Sequence, residues 1–170
     1  MVFRSDDIFL TSSIRSGQIY NFDAFKASHE LLKGKIHILS IIAGEIDNHP
    51  EMKEYIIANK KDFKFGIHGW LHNDYSKMPK EEIKKELSMA KDKIEKEFGV
   101  EVKWFFPPWN RVSETTRKAC NEIGLKINEN YIIPKQYLQG LRGDVINFHY
   151  WSKQEMDYLK LCLKSLHTHQ

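Results

Sequence analysis

The sequence predicts an α/β domain, a parallel sheet with helices packed outside it. Short apolar segments alternate strictly with amphipathic segments of helical period, the pattern expected when each strand is joined to the next by a helical crossover. The 170 residues suit one domain, 1–170, with room for a sizeable core. No internal repeat, low-complexity tract or linker interrupts the order.

Each element has its own signal. Val2 to Leu10 reads as a strand, and NFDAFKASHELLKG as a helix closed by Gly34. IHILSIIAG is a buried strand rich in isoleucine. NHPEMKEYIIANKKD is helical, with Pro50 in the first turn, where a missing N–H costs little. FKFGIH is the third strand. In PKEEIKKELSMAKDKIEKEFG, Ile83, Leu87, Ala90, Ile94 and Phe98 fall on one face, and Lys and Glu at i,i+4 spacing make a solvated opposite face. VEVKWFF is the fourth strand. SETTRKACNEIG is a helix capped by Ser113 and stopped by Gly124. LKINENYIIP supplies a fifth strand with a loop, and DVINFHYW the sixth. SKQEMDYLKLCLKSL closes the chain as a helix, with Ser152 and Glu155 as a capping box. His167 and His169 fall in a tail expected to be disordered.

The formal charge of +3 is small and its basic residues are interleaved with acids, which argues against a nucleic-acid or membrane-surface partner. No apolar run approaches the roughly 18 residues of a membrane span. MVFRSDDIFL lacks the features of a signal peptide, so a cytoplasmic location is expected. Cys120 and Cys162 stand far apart and read as reduced core thiols. Ser113 and Cys120 have no base at recognisable spacing, which argues against a serine or cysteine hydrolase.

In parallel α/β folds reactive groups gather at the C-terminal ends of the strands. Four such ends carry unusual residues: Asp6-Asp7, His68 with His72, Pro107-Pro108-Trp109-Asn110, and His149. Two histidines at i,i+4 can reach one cation, although that spacing alone more often reflects packing. Adjacent carboxylates repel each other when buried, a cost a divalent cation offsets; the competing reading of Ser5-Asp6-Asp7 is a polar loop. One aspartate and two histidines make a three-donor set with positions left open, suited to Zn²⁺ or a similar transition metal. The other aspartate can then act as general base and His149 as general acid. Trp109, after two prolines that force the chain out of the sheet, offers a flat surface for a sugar ring; rigid packing is the alternative. Glu45, Asp47 and His49 follow the second strand and read as capping and turn residues, with lining of the same pocket as the alternative. Asp74 is either an acceptor orienting His72 or a solvent-facing turn residue.

Taken in order, these motifs resemble the polysaccharide deacetylase family, the NodB-homology carbohydrate esterases. The match runs from Ser5 to His149: an Asp-Asp pair on the first strand, HxxxH after the third, a Pro-Pro-aromatic turn after the fourth, and a late hydrophobic-x-His. The resemblance implies a distorted (β/α) barrel, commonly of seven strands, that uses one divalent metal to remove N-acetyl, sometimes O-acetyl, groups from sugars. With only about six parallel strands here, the barrel is expected to be incomplete and its groove more open. By the same resemblance Asp7, His68 and His72 are the metal ligands. Asp6 is the base and His149 the acid. The Trp109 amide helps to hold the oxyanion, and Pro108, Trp109, Asn110 and Arg111 line the substrate. The cofactor is most simply zinc, with Co, Ni, Fe or Mn as alternatives. The partner is an N-acetylated sugar or oligosaccharide.

Two departures stand out. Ile8 replaces a glycine usual after the aspartates. Phe106 replaces an arginine often found just before the prolines, where it holds the base through a further aspartate; Asn110 or Arg111 is expected to take over that orienting role. The rival readings are a non-catalytic carbohydrate-binding protein on the same fold, and a metal-dependent esterase or amidase with a non-glycan substrate.

Overall fold

The computed structural model describes residues 1–13 and 17–167, so His169 lies outside the described residues. The order is β1 (Val2–Ile8), a two-stranded hairpin β2 (Ser12–Ser13) and β3 (Gly17–Gln18), α1 (Phe22–Leu31), β4 (Ile36–Ile42), α2 (Pro50–Ala58) and β5 (Phe63–Gly69). It continues with α3 (Lys80–Phe98), β6 (Trp104–Phe105), α4 (Glu114–Glu122), β7 (Lys126–Ile127), α5 (Pro134–Leu138), β8 (Val145–Phe148) and α6 (Lys153–His167).

Six strands form one parallel sheet in the order β7-β6-β5-β4-β1-β8, curled into a half-barrel. The expected class and strand number therefore hold. The curl brings the chain leaving β7 alongside β8, where the Ile132 amide donates to Val145 O at 3.0 Å and the Asn147 amide to Ile132 O at 2.9 Å. That single bridge stands where a fuller barrel would have a paired strand.

The core lies between the sheet and the outer helices. The stripe Ile83, Leu87, Ala90, Ile94 and Phe98 of α3 is buried as its spacing requires. Gly99 ends that helix in the left-handed conformation (φ +61°), which a residue without Cβ adopts at little cost. Ser113 caps α4 in a reciprocal box with Thr116.

Four expectations change. VEVKWFF contributes only Trp104 and Phe105 to the sheet, and the Val102 amide turns instead to Glu95 Oε1 at 2.8 Å. α5 and the hairpin are additions that the sequence pattern did not announce. The last helix runs through His167, into what was expected to be a disordered tail. Its N-terminus is also half the predicted box: the Glu155 amide reaches Ser152 Oγ at 3.3 Å, but the Glu155 carboxylate turns away to His149.

Candidate active site

The site begins with a defect in β1. Register with β4 slips between Ser5 and Ile8, and Asp7 takes φ +61°. In a regular strand Asp6 and Asp7 would point to opposite faces; the irregularity turns both into one mouth. Aspartate is among the few residues that tolerate the left-handed region. Both carboxylates are buried, 5% and 4% exposed.

β5 supplies the histidines. At its end Gly69 has φ +129°, and a Cβ there would meet Leu71 O at 2.3 Å, so the turn carrying His72 back over His68 requires glycine. His68 Nδ1 lies 2.6 Å from Phe106 O. A carbonyl can only accept, so Nδ1 carries the proton and Nε2 presents its lone pair to the mouth. That Nε2 is 3.4 Å from Asp7 Oδ1, and His72 Nε2 is 3.3 Å from the same oxygen. One donor atom from each of Asp7, His68 and His72 lies within 4.8 Å of the others.

These residues fit a cation. Asp7 Oδ1 is buried without a hydrogen-bond partner, an expensive state for a carboxylate oxygen unless something positive sits against it. Burial pushes the Asp7 carboxyl up, but the imidazoles around it, His68 first and then His149 and His72, outweigh it when protonated and hold it down to about 2. Burial, then the charge of His68, lowers His72 to about 4, so its ring is neutral and able to donate a lone pair near pH 7. Two imidazoles and a carboxylate are the donors zinc and its neighbours take.

Asp6 and His149 flank this set. Burial pushes the Asp6 carboxyl up, and the Arg4 guanidinium, with His68 and His149, more than reverses it. Arg4 Nη2 donates to Asp6 Oδ2 at 3.1 Å, and Arg4 Nε pairs with Oδ1 at 2.9 Å. The second contact lacks hydrogen-bond alignment, so Oδ1 remains an unsatisfied acceptor. His149 Nε2 approaches Asp7 Oδ2 at 3.7 Å, while Nδ1 lies 3.1 Å from both Glu155 oxygens. Burial pulls His149 down, but the hydrogen bond and charge of Glu155, with Asp7 and Asp6, raise it to about 9. Trp151 Nε1 donates to Asp7 Oδ2 at 3.2 Å, fixing that carboxylate's free edge.

The mouth opens into a cavity of about 620 Å³ walled by Trp109, Trp151 and Tyr131, with Leu10 and Ile19 on one side. Trp109 and Asn110 are both left-handed (φ +54° and +55°), a turn forced by the two prolines before them. The Trp109 ring stands edge-on to His72, centroids 4.4 Å apart, and Pro108 beneath it is buried.

Of the predicted site residues, Asp6, Asp7, His68, His72, Trp109, Asn110 and His149 line one cavity, whereas Pro108 and Arg111, expected to line the substrate, are not among its walls. The orienting role expected of Asn110 or Arg111 is not theirs. Asn110 Nδ2 donates to Glu129 O at 3.1 Å, and Arg111 pairs with Asp74 at 2.9 Å. Asp74, spent on Arg111 and Ser76, does not orient His72. Glu45 and His49 hold the turn and the N-cap position before α2, and their side chains bind the loop after β1: Glu45 accepts from the Thr11 amide and His49 Nε2 meets Thr11 Oγ1, both at 2.8 Å. Sequence reasoning missed Arg4, Glu155, Tyr131 and Trp151. The spacing of Arg4 two residues before Asp6, one strand period, was the available signal for the first.

Comparison with known proteins bears on the family and the fold. Residues 33–127, more than half of the chain, match the family model described as polysaccharide deacetylase. No curated protein matches. Among solved structures, a CE4 family pseudoenzyme from Bacillus anthracis superposes with TM-score 0.76 at 12% identity, over 99% of this chain and 60% of that one. The chain thus spans about 60% of that relative's length. A family 4 carbohydrate esterase from Streptomyces lividans in complex with acetate gives 0.72 at 14% identity, over 99% and 88% of the two chains. The Xyl-CE4 domain of a multidomain xylanase from the hindgut metagenome of Trinervitermes trinervoides gives 0.74 at 16%, over 99% and 82%. At such identities the structures attest a shared fold, while the family match covers the strands that carry both histidines and the Pro-Pro turn. On these grounds the chain belongs to the polysaccharide deacetylase family.

Proposed function

We propose that the protein is a metal-dependent deacetylase that hydrolyses N-acetyl groups of a sugar or glycan. The observation that carries this reading is the meeting of Asp7, His68 and His72 around a buried, unpartnered carboxylate oxygen, with an unsatisfied carboxylate on one side and a histidine on the other.

When bound by those three side chains, a divalent cation (zinc, or Co, Ni, Fe or Mn) supplies Lewis acidity and brings the pKa of a water toward neutrality. Asp6, ionised and held by Arg4, accepts the proton of the attacking water at Oδ1. The Trp109 amide, at the rim of the cavity, donates to the oxyanion that forms on the acetyl carbon. His149 is kept protonated by Glu155 and passes its Nε2 proton to the leaving amine. Trp109, Trp151 and Tyr131 offer flat apolar surfaces with polar edges, suited to the faces of a sugar ring.

The test is acetate release by the metal-loaded protein from N-acetylated oligosaccharides against O-acetyl esters. Preference for the ester would move the reading to an esterase using the same groups. Asp6→Asn should lose at least about 100-fold in kcat, the usual scale of general-base loss, while keeping its metal. Full activity in that variant would refute the base assignment.

One structural relative is described as a pseudoenzyme, which gives the non-catalytic carbohydrate-binding reading a concrete precedent. Against it stand three convergent donors and both proton-transfer groups. A purified protein that takes up no Zn²⁺ or Co²⁺ and releases no acetate, yet binds oligosaccharide, would decide for the binding module.

A further inference from the structure

Arg4 is 2% exposed, among the most buried large side chains of the molecule. A guanidinium so deep carries a desolvation cost that excellent geometry must offset, and an apolar side chain of similar volume would fill the space more cheaply. Its surroundings come from four separate parts of the chain. Asp6 of β1 accepts from Nη2 at 3.1 Å and pairs with Nε at 2.9 Å. Asn147 Oδ1 of β8 accepts from Nε at 3.3 Å. Phe106, just after β6, and Tyr131, in the segment after β7, lie against the guanidinium, each ring centroid 4.6 Å from Cζ. Phe106 in turn packs where a Cβ on Gly66 would lie, 2.2 Å from that virtual atom. Tyr131 adjoins Ile132, whose single bridge to β8 closes the curl. It also lines the cavity.

We propose that Arg4 is a positioning residue that couples closure of the half-barrel to the orientation of the base, so that Asp6 is correctly aimed only while Tyr131 and β8 are docked on the guanidinium. The inference rests on the deacetylase reading, which makes Asp6 the base. Stacking holds the guanidinium plane, and the Nη2 hydrogen bond with the Nε ion pair holds the carboxylate, so the alignment is transmitted from the barrel wall to Asp6 Oδ2 without direct contact between wall and carboxylate. Lysine, a point charge that presents neither a fork nor a flat face, cannot do this. The orienting function expected of the Pro-Pro turn is thereby moved to the strand that bears the base itself.

The experiment measures kcat, KM and bound metal in the metal-loaded full chain with a natural acetylated sugar and an activated acetyl ester. Arg4→Met should lower kcat about 100-fold and Arg4→Lys about 10-fold or more, since misaiming a reacting group costs on this scale. KM should stay within about threefold and metal content should not change, because Arg4 touches neither substrate nor the three donors. Tyr131→Ala, which removes the stack, should lose about 10-fold in kcat. In an Asp6→Asn background, followed with the activated ester, neither Arg4 variant should cost more than about twofold further, the signature of residues acting as a unit.

Arg4→Lys with the kcat of the wild type, or Arg4 variants costing as much without the Asp6 carboxylate as with it, would overturn the inference. If Arg4→Met does not fold, Arg4→Lys and Tyr131→Ala decide between the outcomes. A wild type that releases no acetate from any acetylated sugar overturns the deacetylase reading and this inference with it. A wild type that turns over while Arg4→Lys matches it overturns the inference alone.

Discussion

A carboxylate at φ +61° is held in a conformation that costs on the order of 1–2 kcal/mol even where the side chain tolerates it. In Asp7 that cost accompanies a second one, a buried oxygen with no hydrogen bond. Neither is expected at a site built only for stability; a cation facing the oxygen would offset the second, and the first is the cost of aiming the carboxylate into the mouth. Glu155 illustrates the complementary case, a residue that sacrifices a local hydrogen bond for a distant one. Its carboxylate leaves the helix N-terminus and accepts from the His149 amide at 2.8 Å while holding the ring. We therefore expect Glu155→Gln to lower kcat at least about 10-fold, the low end for a misplaced general acid. Removing the negative partner lowers the His149 pKa, so the alkaline limb of the kcat profile should move to lower pH; an unmoved limb would place the acid elsewhere. The pair Ser152/Glu155 has the spacing of a capping box, and that local pattern hid the longer-range role. Asp6, Asp7, His68 and His72 were legible because their types are chemically unusual at strand ends. Arg4 was not, because its meaning depends on Tyr131 and Asn147, more than a hundred residues away in the chain.

At the scale of elements, the site depends on how β1 and β5 end. β1 ends in a register slip and β5 in a glycine whose Cβ position is already occupied by Leu71 O and the Tyr75 hydroxyl, at 2.3 and 2.8 Å. The Tyr75 hydroxyl accepts from the Trp70 amide and donates to Glu86, so the HxxxH turn is braced from α3. Gly69→Ala has nowhere to place its methyl group without moving that carbonyl. It should destabilise the fold by more than about 1 kcal/mol. It should also weaken Co²⁺ binding, read from the visible absorption of the bound ion, because His68 and His72 flank the displaced backbone. An alanine variant with unchanged Tm and unchanged Co²⁺ titration would show that the turn has slack. The long elements were legible from period alone: α3 shows its stripe over the whole of Lys80–Phe98. β6, β7 and the hairpin, two residues per strand, were not, since so short a pairing carries no alternation to read.

For the whole molecule, alternation of strands and helices was enough to give a parallel sheet, but not its order or its curl, which arise from packing between segments far apart in sequence. The same packing buries polar groups on the far side of β1 from the site. Ser5 Oγ and His37 Nε2 are 2.6 Å apart there, with Phe63 and Phe148 against the imidazole and no partner for Nδ1. Burial, with a smaller contribution from the charge of His29, pushes His37 down to about 3 from its ordinary value of 6.5. The folded chain thus refuses a proton that the unfolded chain accepts, and the native state loses stability as pH falls below the unfolded value. His37 alone contributes a slope approaching about 1.4 kcal/mol per pH unit in that window, levelling off only near the folded pKa. His37→Gln keeps an amide within reach of Ser5 and cannot titrate. Comparing urea unfolding between about pH 6 and pH 4, the wild type should lose stability more steeply than the variant, by up to that slope. Parallel losses in the two proteins would mean that His37 takes up its proton in the folded state. The cavity of about 290 Å³ lined by His37, Phe63 and Asp62 would then be the route by which water or the Asp62 carboxylate reaches the ring.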